Sequence, residues 1–293
     1  MIFWDLGGVP TTVTYWKKTC MQASIEAKKK ILIGILKSYQ TLAVALSGGV
    51  DSALLLAEAH DILGDRLIAV TARSPIHPER EIADAASLCN DLGVAHRVID
   101  TAELDQADFL ANTPQRCFVC KMTMFGQIKK ILREKGVEYL VHGANADDNS
   151  DYRPGLHAAR ELGIGAPLMD AGLTKNEIRL LAKDRGLRVW NKPAMACLAT
   201  RIPYGTPITN RLIEQIRQAE MVLDSAGFKG CRVRHHGAIA RLEVPLDQLV
   251  RLMSDPTRGR LVAKLQALGF SHVCVDLEGY VRGSMNRAIE TVL

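Results

Sequence analysis

Leu46-Ser47-Gly48-Gly49-Val50-Asp51-Ser52 gathers several requirements of anion chemistry into one short string. Two glycines let a backbone approach a phosphate closely, Ser47 and Ser52 can donate hydroxyl hydrogen bonds, and Asp51 offers a hard oxygen ligand suited to Mg²⁺. The string follows an apolar run and opens a helical pattern, so backbone N–H groups and the positive end of a helix would meet the anion. It lacks the Gly-Lys-Ser/Thr ending of a Walker A loop, so transfer of a γ-phosphate is not expected. The bland alternative is an ordinary strand-to-helix turn. The complete Ser-Gly-Gly-x-Asp-Ser string in this setting favours nucleotide binding.

Sulfur chemistry has its own candidates among Cys20, Cys89, Cys117, Cys120, Cys197, Cys231 and Cys274. Residues 1–20 do not read as a secretion signal, so a reducing compartment is expected, where an odd count points to thiols, metal ligands or catalytic groups. Arg116-Cys117-Phe118-Val119-Cys120-Lys121 sets two thiols where a helix begins, and the helix end and flanking cations are expected to lower their pKa. Alone, such a pair reads as half a structural zinc site, a redox pair, or two unreactive thiols. No second pair of the kind follows, although Cys231 or His235 could complete a zinc site. A third region, Val141–Ser150, carries Gly143, Asn145, Asp147 and Asp148, a ligand loop or a solvated acidic turn.

The elements that must position these residues alternate. Strands are expected at Thr41–Leu46, Leu67–Thr71, His96–Asp100 and Tyr139–Gly143, and helices at Pro78–Leu92, Lys121–Lys135 and Lys175–Arg185. That alternation predicts an α/β domain with a parallel sheet covered on both faces. Thr174 with Glu177 predicts a capping box. Beyond the prolines at 193, 203 and 207 come a helix (Asn210–Ala226), two short strands (Arg232–His236, Ile239–Val244) and a helix pair, a smaller α+β domain. The expected division is an N-terminal extension over 1–24, read as disordered or an artefact of start-codon choice, a nucleotide domain over 25–204, and a substrate or oligomerisation domain over 205–293. Arg232 and Arg234 alternate on one strand and so share a face. His235 and His236 could titrate near neutrality, with at most one touching ligand. Trp16, Trp190, Met195 and Cys89 read as packing, and Lys183 and Arg185 as the solvated end of a helix.

Ser47–Ser52 resembles the PP-loop of the N-type ATP pyrophosphatases, which split ATP into AMP and pyrophosphate while adenylating an acceptor. From about residue 25 to the C-terminus the chain resembles more closely the LarE family, ATP-dependent sulfur transferases of nickel-pincer cofactor synthesis for lactate racemase. The resemblance rests on SGGVDS at 47–52, RCFVCK at 116–121, HGANADD at 142–148, DYRPG at 151–155, ACLATRIPYG at 196–205 and RVRHHGAIARLEV at 232–244, in the family's order.

The resemblance implies an adenine nucleotide alpha hydrolase-like domain with ATP held by Ala45, Ser47, Gly48, Gly49, Asp51, Ser52, Thr71, Gly143 and Asp148, and Mg²⁺ on Asp51. It implies a pyridinium carboxylate mononucleotide as substrate, adenylated with release of pyrophosphate and then attacked by the Cys197 thiolate. Arg201, Arg232 and Arg234 would bind that substrate. Glu220 and Glu243 would be metal ligands or general bases. In one version of the chemistry Cys197 gives up its own sulfur and becomes dehydroalanine. In a subgroup with three cysteines, matched here by Cys117, Cys120 and Cys197, a [4Fe–4S] cluster keeps one iron free to carry sulfide. The three cysteines favour the cluster version. A sulfur donor and a homohexamer are further implications.

With 47% hydrophobic and 24% charged residues the chain is globular in composition, and its 37 Lys and Arg against 32 Asp and Glu give a net charge of only +5. That is too mild to imply nucleic acid, which argues against the competing assignment as a tRNA thiolation enzyme. An ammonia-using synthetase and a non-catalytic nucleotide or metal-storage protein are the other competitors. No apolar run approaches a membrane span, and a cytoplasmic location is expected.

Overall fold

The computed structural model describes residues 12–150, 153–193, 196–281, 284 and 287. Residues 151–152 of the DYRPG string, Met195 and the side chain of Trp16 lie outside that description. Eleven described helices are α1 (Thr12–Lys37), α2 (Val50–Leu63), α3 (Glu79–Leu92), α4 (Ala107–Leu110), α5 (Arg116–Arg133), α6 (Pro154–Glu161), α7 (Pro167–Asp170), α8 (Lys175–Asp184), α9 (Asn210–Ser225), α10 (Leu249–Met253) and α11 (Thr257–Ala267). The strands are β1 (Leu42–Ala45), β2 (Leu67–Arg73), β3 (Ala95–Asp100), β4 (Tyr139–His142), β5 (Arg232–His236), β6 (Ile239–Glu243) and β7 (His272–Val275).

Burial on both faces explains β1, whose Leu42, Ala43 and Val44 are without exposure, as a continuous apolar run in a parallel sheet must be. The sheet runs β3-β2-β1-β4, all parallel, with Leu42 opposite both Leu67 and Tyr139. On one face α1, α2 and α8 bury Leu32, Leu36, Leu54 and Ile178 against it, and Cys89 is sealed in that layer. On the other, α5 and α6 contribute Phe125, Ile128, Leu132 and Ala159. The expected parallel-sheet α/β class is observed. The capping box is also present: the Thr174 side chain accepts from the Glu177 N–H, and Glu177 accepts from the Thr174 N–H at 2.8 Å.

A second, three-stranded sheet ordered β5-β6-β7 packs on α9, α10 and α11 around Phe228, Leu252, Leu265 and Phe270. Its β7 strand was not expected from the sequence. Four half-exposed residues carry little periodicity, and β7 exists because it pairs parallel with β6, His272 opposite Ile239. Between the two sheets Ile76, Phe109, Leu198, Ile202, Ile208 and Ile216 form a separate apolar cluster, which docks the 197–208 segment onto the start of α5.

Candidate active site

The turn after β1 is shaped by backbone. Gly48 has φ +69°, in the region that favours glycine, and a Cβ there would stand 2.7 Å from the Glu81 carbonyl oxygen. Ser52 Oγ donates to the Gly49 carbonyl at 3.1 Å and accepts from the Ser47 N–H at 3.2 Å, closing the loop on itself. Gly143, at the end of β4, would place a Cβ 2.7 Å from the Ser52 nitrogen. Only glycine allows the β4 loop to lie this close to the first turn of α2. Ala45 ends β1 at the loop, and the Thr71 hydroxyl donates to the Leu46 carbonyl at 2.9 Å and meets His96 Nε2 at 2.8 Å. The Lys192 ammonium ties the loop to α3, donating to the Gly48 carbonyl at 2.9 Å and to Asp84 at 2.6 Å.

The acidic loop is built rather than solvated. Asp148 accepts from the Asn145 N–H at 3.0 Å and pairs with Arg153 at 2.7 Å, and the Asn145 amide donates to Asp51 at 3.2 Å. Asp51 is also ion-paired with Lys175. A magnesium ion on Asp51 would replace that ammonium.

The cysteines far apart in sequence come together. Arg116, buried at the start of α5, donates to the Ala199 carbonyl at 3.0 Å and also bonds Asn112. Asn112 in turn donates to the carbonyls of Pro203 and Thr206 at 2.8 and 2.7 Å, and Leu198 N–H reaches the Ile76 carbonyl at 2.8 Å. This clamp carries Cys197 to the pair at 117 and 120, near enough that Cys197 feels Cys117 and Cys120 feels both. Burial pushes the Cys197 thiol up, against the pull of Arg116 and Arg201, and burial pushes Cys120 up against Lys121. The expected lowering of the Cys120 pKa therefore does not occur, because desolvation outweighs the neighbouring cation. Among the described residues no group of three or more His, Cys, Asp or Glu side chains is placed to hold a metal ion. Cys231 stands apart, its thiol turned to the Phe228 carbonyl at 2.9 Å, and completes no zinc site with the pair.

Beside Cys197 lies a network of arginines and glutamates. Arg201 has no exposure; it grips Glu220 with two bonds of 2.8 and 3.1 Å and donates to the carbonyls of Ala196 and Cys197 at 2.8 and 3.1 Å. Its guanidinium is thus committed to holding the cysteine segment in place. Glu220 also accepts from the Val233 N–H at 3.2 Å. Glu243, likewise without exposure, takes Arg234 at 2.6 Å and Arg241 at 3.1 Å, and Arg234 donates to the Thr200 carbonyl at 3.1 Å. The Arg234 Nε is buried without a hydrogen-bond partner. Arg232 donates to the carbonyls of Gly230 and Cys231 at 3.2 and 2.7 Å and lies over the Tyr280 ring.

Sequence reasoning missed several polar groups near the strand ends. His77 and His142 are pushed down to about 4 by burial and by Lys121, and each has a ring nitrogen without a partner. Ser74 Oγ and both carboxyl oxygens of Glu103 are also buried and unpartnered. No local pattern marks these residues; they matter only because the sheet brings them behind α5. Of the paired histidines, His235 is buried against Phe270 and His236 is exposed. Lys183 is exposed as expected, its ammonium over the Trp190 ring, whereas Arg185 departs from expectation: it is half-buried and pairs with Glu58 at 3.0 Å and Asp61 at 2.8 Å, since α8 packs against α2.

A parallel sheet with a glycine-rich anion loop at its carboxyl end, flanked by a thiol cluster, defines a nucleotide-dependent enzyme of the PP-loop class. Residues 26–131 match the NAD synthase family model. The chain is 37% identical over 265 residues to pyridinium-3,5-bisthiocarboxylic acid mononucleotide synthase of Lactiplantibacillus plantarum, covering 90% of this chain and 95% of that protein. An uncharacterised protein, slr1717, of Synechocystis is 36% identical over 90% of this chain and 99% of its own. A tRNA-specific 2-thiouridylase of Rickettsia africae is 30% identical, over 68% of this chain and 64% of its own. The chain belongs to the LarE family, and at family level that makes it an ATP-using sulfur transferase of nickel-pincer cofactor synthesis. Among the described residues no helix is long and apolar enough to cross a membrane.

Proposed function

We propose that the protein activates the carboxylate of a pyridinium mononucleotide with ATP and converts it to a thiocarboxylate. The observation that carries this reading is the clamp that brings the Cys197 segment to the start of α5, where Cys197 and Cys120 share an apolar cluster and Cys117 lies within electrostatic reach, beside the Arg201–Glu220 pair. In the first half, Ser47–Ser52 receive the ATP phosphates through backbone N–H groups, and Asp51 would hold Mg²⁺, which neutralises charge on the leaving pyrophosphate. The substrate carboxylate oxygen attacks the α-phosphorus, pyrophosphate leaves, and an acyl adenylate remains. In the second half, in the version without a cluster, the Cys197 thiolate attacks the acyl carbon and AMP leaves; loss of the Cys197 Cα proton and cleavage of its Cβ–S bond then release the thiocarboxylate and leave dehydroalanine.

Burial holds Cys197 in its protonated form at rest. Its proton must therefore depart before attack, and Arg116 and Arg201 stabilise the thiolate so formed. Arg201 acts as a positioning residue through the Cys197 carbonyl; Arg232 and Arg234 would bind the substrate phosphate only by exchanging internal bonds, Arg232 those to the Gly230 and Cys231 carbonyls and Arg234 those to Glu243 and the Thr200 carbonyl.

By chemistry, Cys117, Cys120 and Cys197 would be the donors of a [4Fe–4S] cluster, each thiolate binding a different iron. Such a cluster, when bound, supplies an open iron that can carry an extra sulfide.

Anaerobic purification followed by iron and acid-labile sulfide analysis, with Cys117→Ala as the comparison, tests the cluster; about four irons per chain, lost in the variant, is the expected result. Absence of iron after reconstitution, with dehydroalanine at position 197 after turnover, would establish the sacrificial route instead. Formation of AMP and pyrophosphate only when the mononucleotide is present tests the activation step.

A further inference from the structure

His96 is the second residue of β3, paired in the sheet with Ala69 of β2. Its Nε2 lies 2.8 Å from the hydroxyl of Thr71, a buried residue of β2. Among the described residues no hydrogen bond reaches the other ring nitrogen, so Thr71 selects which nitrogen of the neutral ring carries the proton. A threonine hydroxyl has one proton to give, and here it goes to the Leu46 carbonyl at 2.9 Å. Thr71 therefore accepts from the histidine, and Nε2 is the protonated nitrogen.

The same peptide unit is held from its other side. The carbonyl and N–H of a trans peptide point opposite ways, and the Ser47 N–H that follows the Leu46 carbonyl donates to Ser52 Oγ at 3.2 Å. Ser52 spends its own proton on the Gly49 carbonyl at 3.1 Å, so it is the acceptor in its 3.2 Å contact with the Ser47 hydroxyl. The donors run one way: from His96 through Thr71 to the Leu46 carbonyl, and from the Ser47 N–H through Ser52 to the Gly49 carbonyl. A ring protonated only on Nδ1 would instead take the Thr71 proton and strip the Leu46 carbonyl of its side-chain donor.

We propose that His96 is a positioning residue of the nucleotide site: donating through Nε2, it fixes the direction of the hydrogen-bond chain that orients the first peptide of the phosphate loop. It acts through Thr71 and keeps the Ser47–Ser52 turn in one donor order before nucleotide arrives, so that binding needs no reordering there. Substitutions at 96 then sort by donor character. Gln can still donate to Thr71, whereas a Glu carboxylate can only accept and turns the Thr71 proton away from Leu46.

MgATP is the probe, a choice that rests on the PP-loop reading. By calorimetry, His96→Gln should bind it within about threefold of the wild type and His96→Glu about tenfold or more weakly, because a buried carbonyl loses its donor. With the link cut by Thr71→Val, Gln and Glu at position 96 should bind alike. In protein labelled with nitrogen-15 in its histidine rings, the resonance lost in His96→Gln should show a proton on Nε2 and should shift when MgATP binds. A ring protonated on Nδ1 alone, no shift on binding, or a His96→Glu protein that is less stable in denaturant yet binds MgATP like the wild type overturns the role of His96 and leaves the PP-loop reading intact. No binding of MgATP by the wild type overturns both. The wild-type ring resonance decides the matter even if the Glu variant folds poorly.

Discussion

The two halves of the site are made differently. Around the phosphate loop the working groups are backbone amides, and their placement follows from local rules: a buried strand, a positive-φ glycine, a helix start, and Gly143 where a side chain would strike Ser52. Around Cys197 the working groups are side chains, drawn from α5, the 197–208 segment, α9 and both strands of the β5–β6 pair. There Arg201 is answered by Glu220, and Arg234 and Arg241 by Glu243, inside the protein. The phosphate loop is a cradle whose shape suits many anions; the cysteine half is a preassembled network whose charges fit few ligands. The difference teaches that a site of backbone can be recognised from a string, whereas a site of compensated side chains cannot.

That contrast can be broken experimentally, starting with the largest effect. Cys197→Ala is expected to remove thiocarboxylate formation by about a thousandfold or more, followed by mass spectrometry of the product, while substrate-dependent pyrophosphate release continues. Loss of both together would join the two halves. Arg201→Ala leaves Glu220 and the carbonyls of Ala196 and Cys197 without their buried donor and should destabilise by about 3–5 kcal/mol in denaturant unfolding, because one partner of a buried pair is removed. Gly143→Ala forces the β4 loop away from Ser52; a loss of about 1–3 kcal/mol is expected, with ATP binding weakened more than binding of the mononucleotide.

The smallest effect sharpens the comparison from outside both halves. Thr174→Ala removes the capping box of α8 and should cost about 1 kcal/mol with ATP affinity unchanged. Burial alone would raise the Glu177 carboxyl, but hydrogen bonds from Lys28 and Thr174 hold it below its ordinary value of 4.5. Its stabilisation is therefore complete above that pH and disappears as acid protonates the folded form. Unfolding curves from pH 6 to pH 3 should show a shallower acid loss in Thr174→Ala than in the wild type.

Much of this was readable in the order of residues. The apolar run at 42–45 has no polar position to face water, so it had to be a buried strand, and Ser47–Ser52 after it had to be a turn opening a helix. Asn210–Ser225 and the β5–β6 pair also lie where their periodicity puts them. Strand β7 was hidden, because parallel pairing to β6 is a long-range contact with no local signature. Arg185 reads as solvated because charge at a helix end usually is, yet α2 supplies Glu58 and Asp61 across the packing.

The chemistry of single groups depended still more on folding. Residue order establishes that Cys120 is followed by a lysine and that Arg201 comes four positions after Cys197. It does not contain the desolvation that overrides the lysine, nor the Glu220 that turns Arg201 inward. Elements and loop strings follow from short-range sterics and periodicity, which act over a few residues. Protonation and charge pairing follow from dielectric and distance, which exist only once segments as remote as 116, 197 and 220 have been packed together.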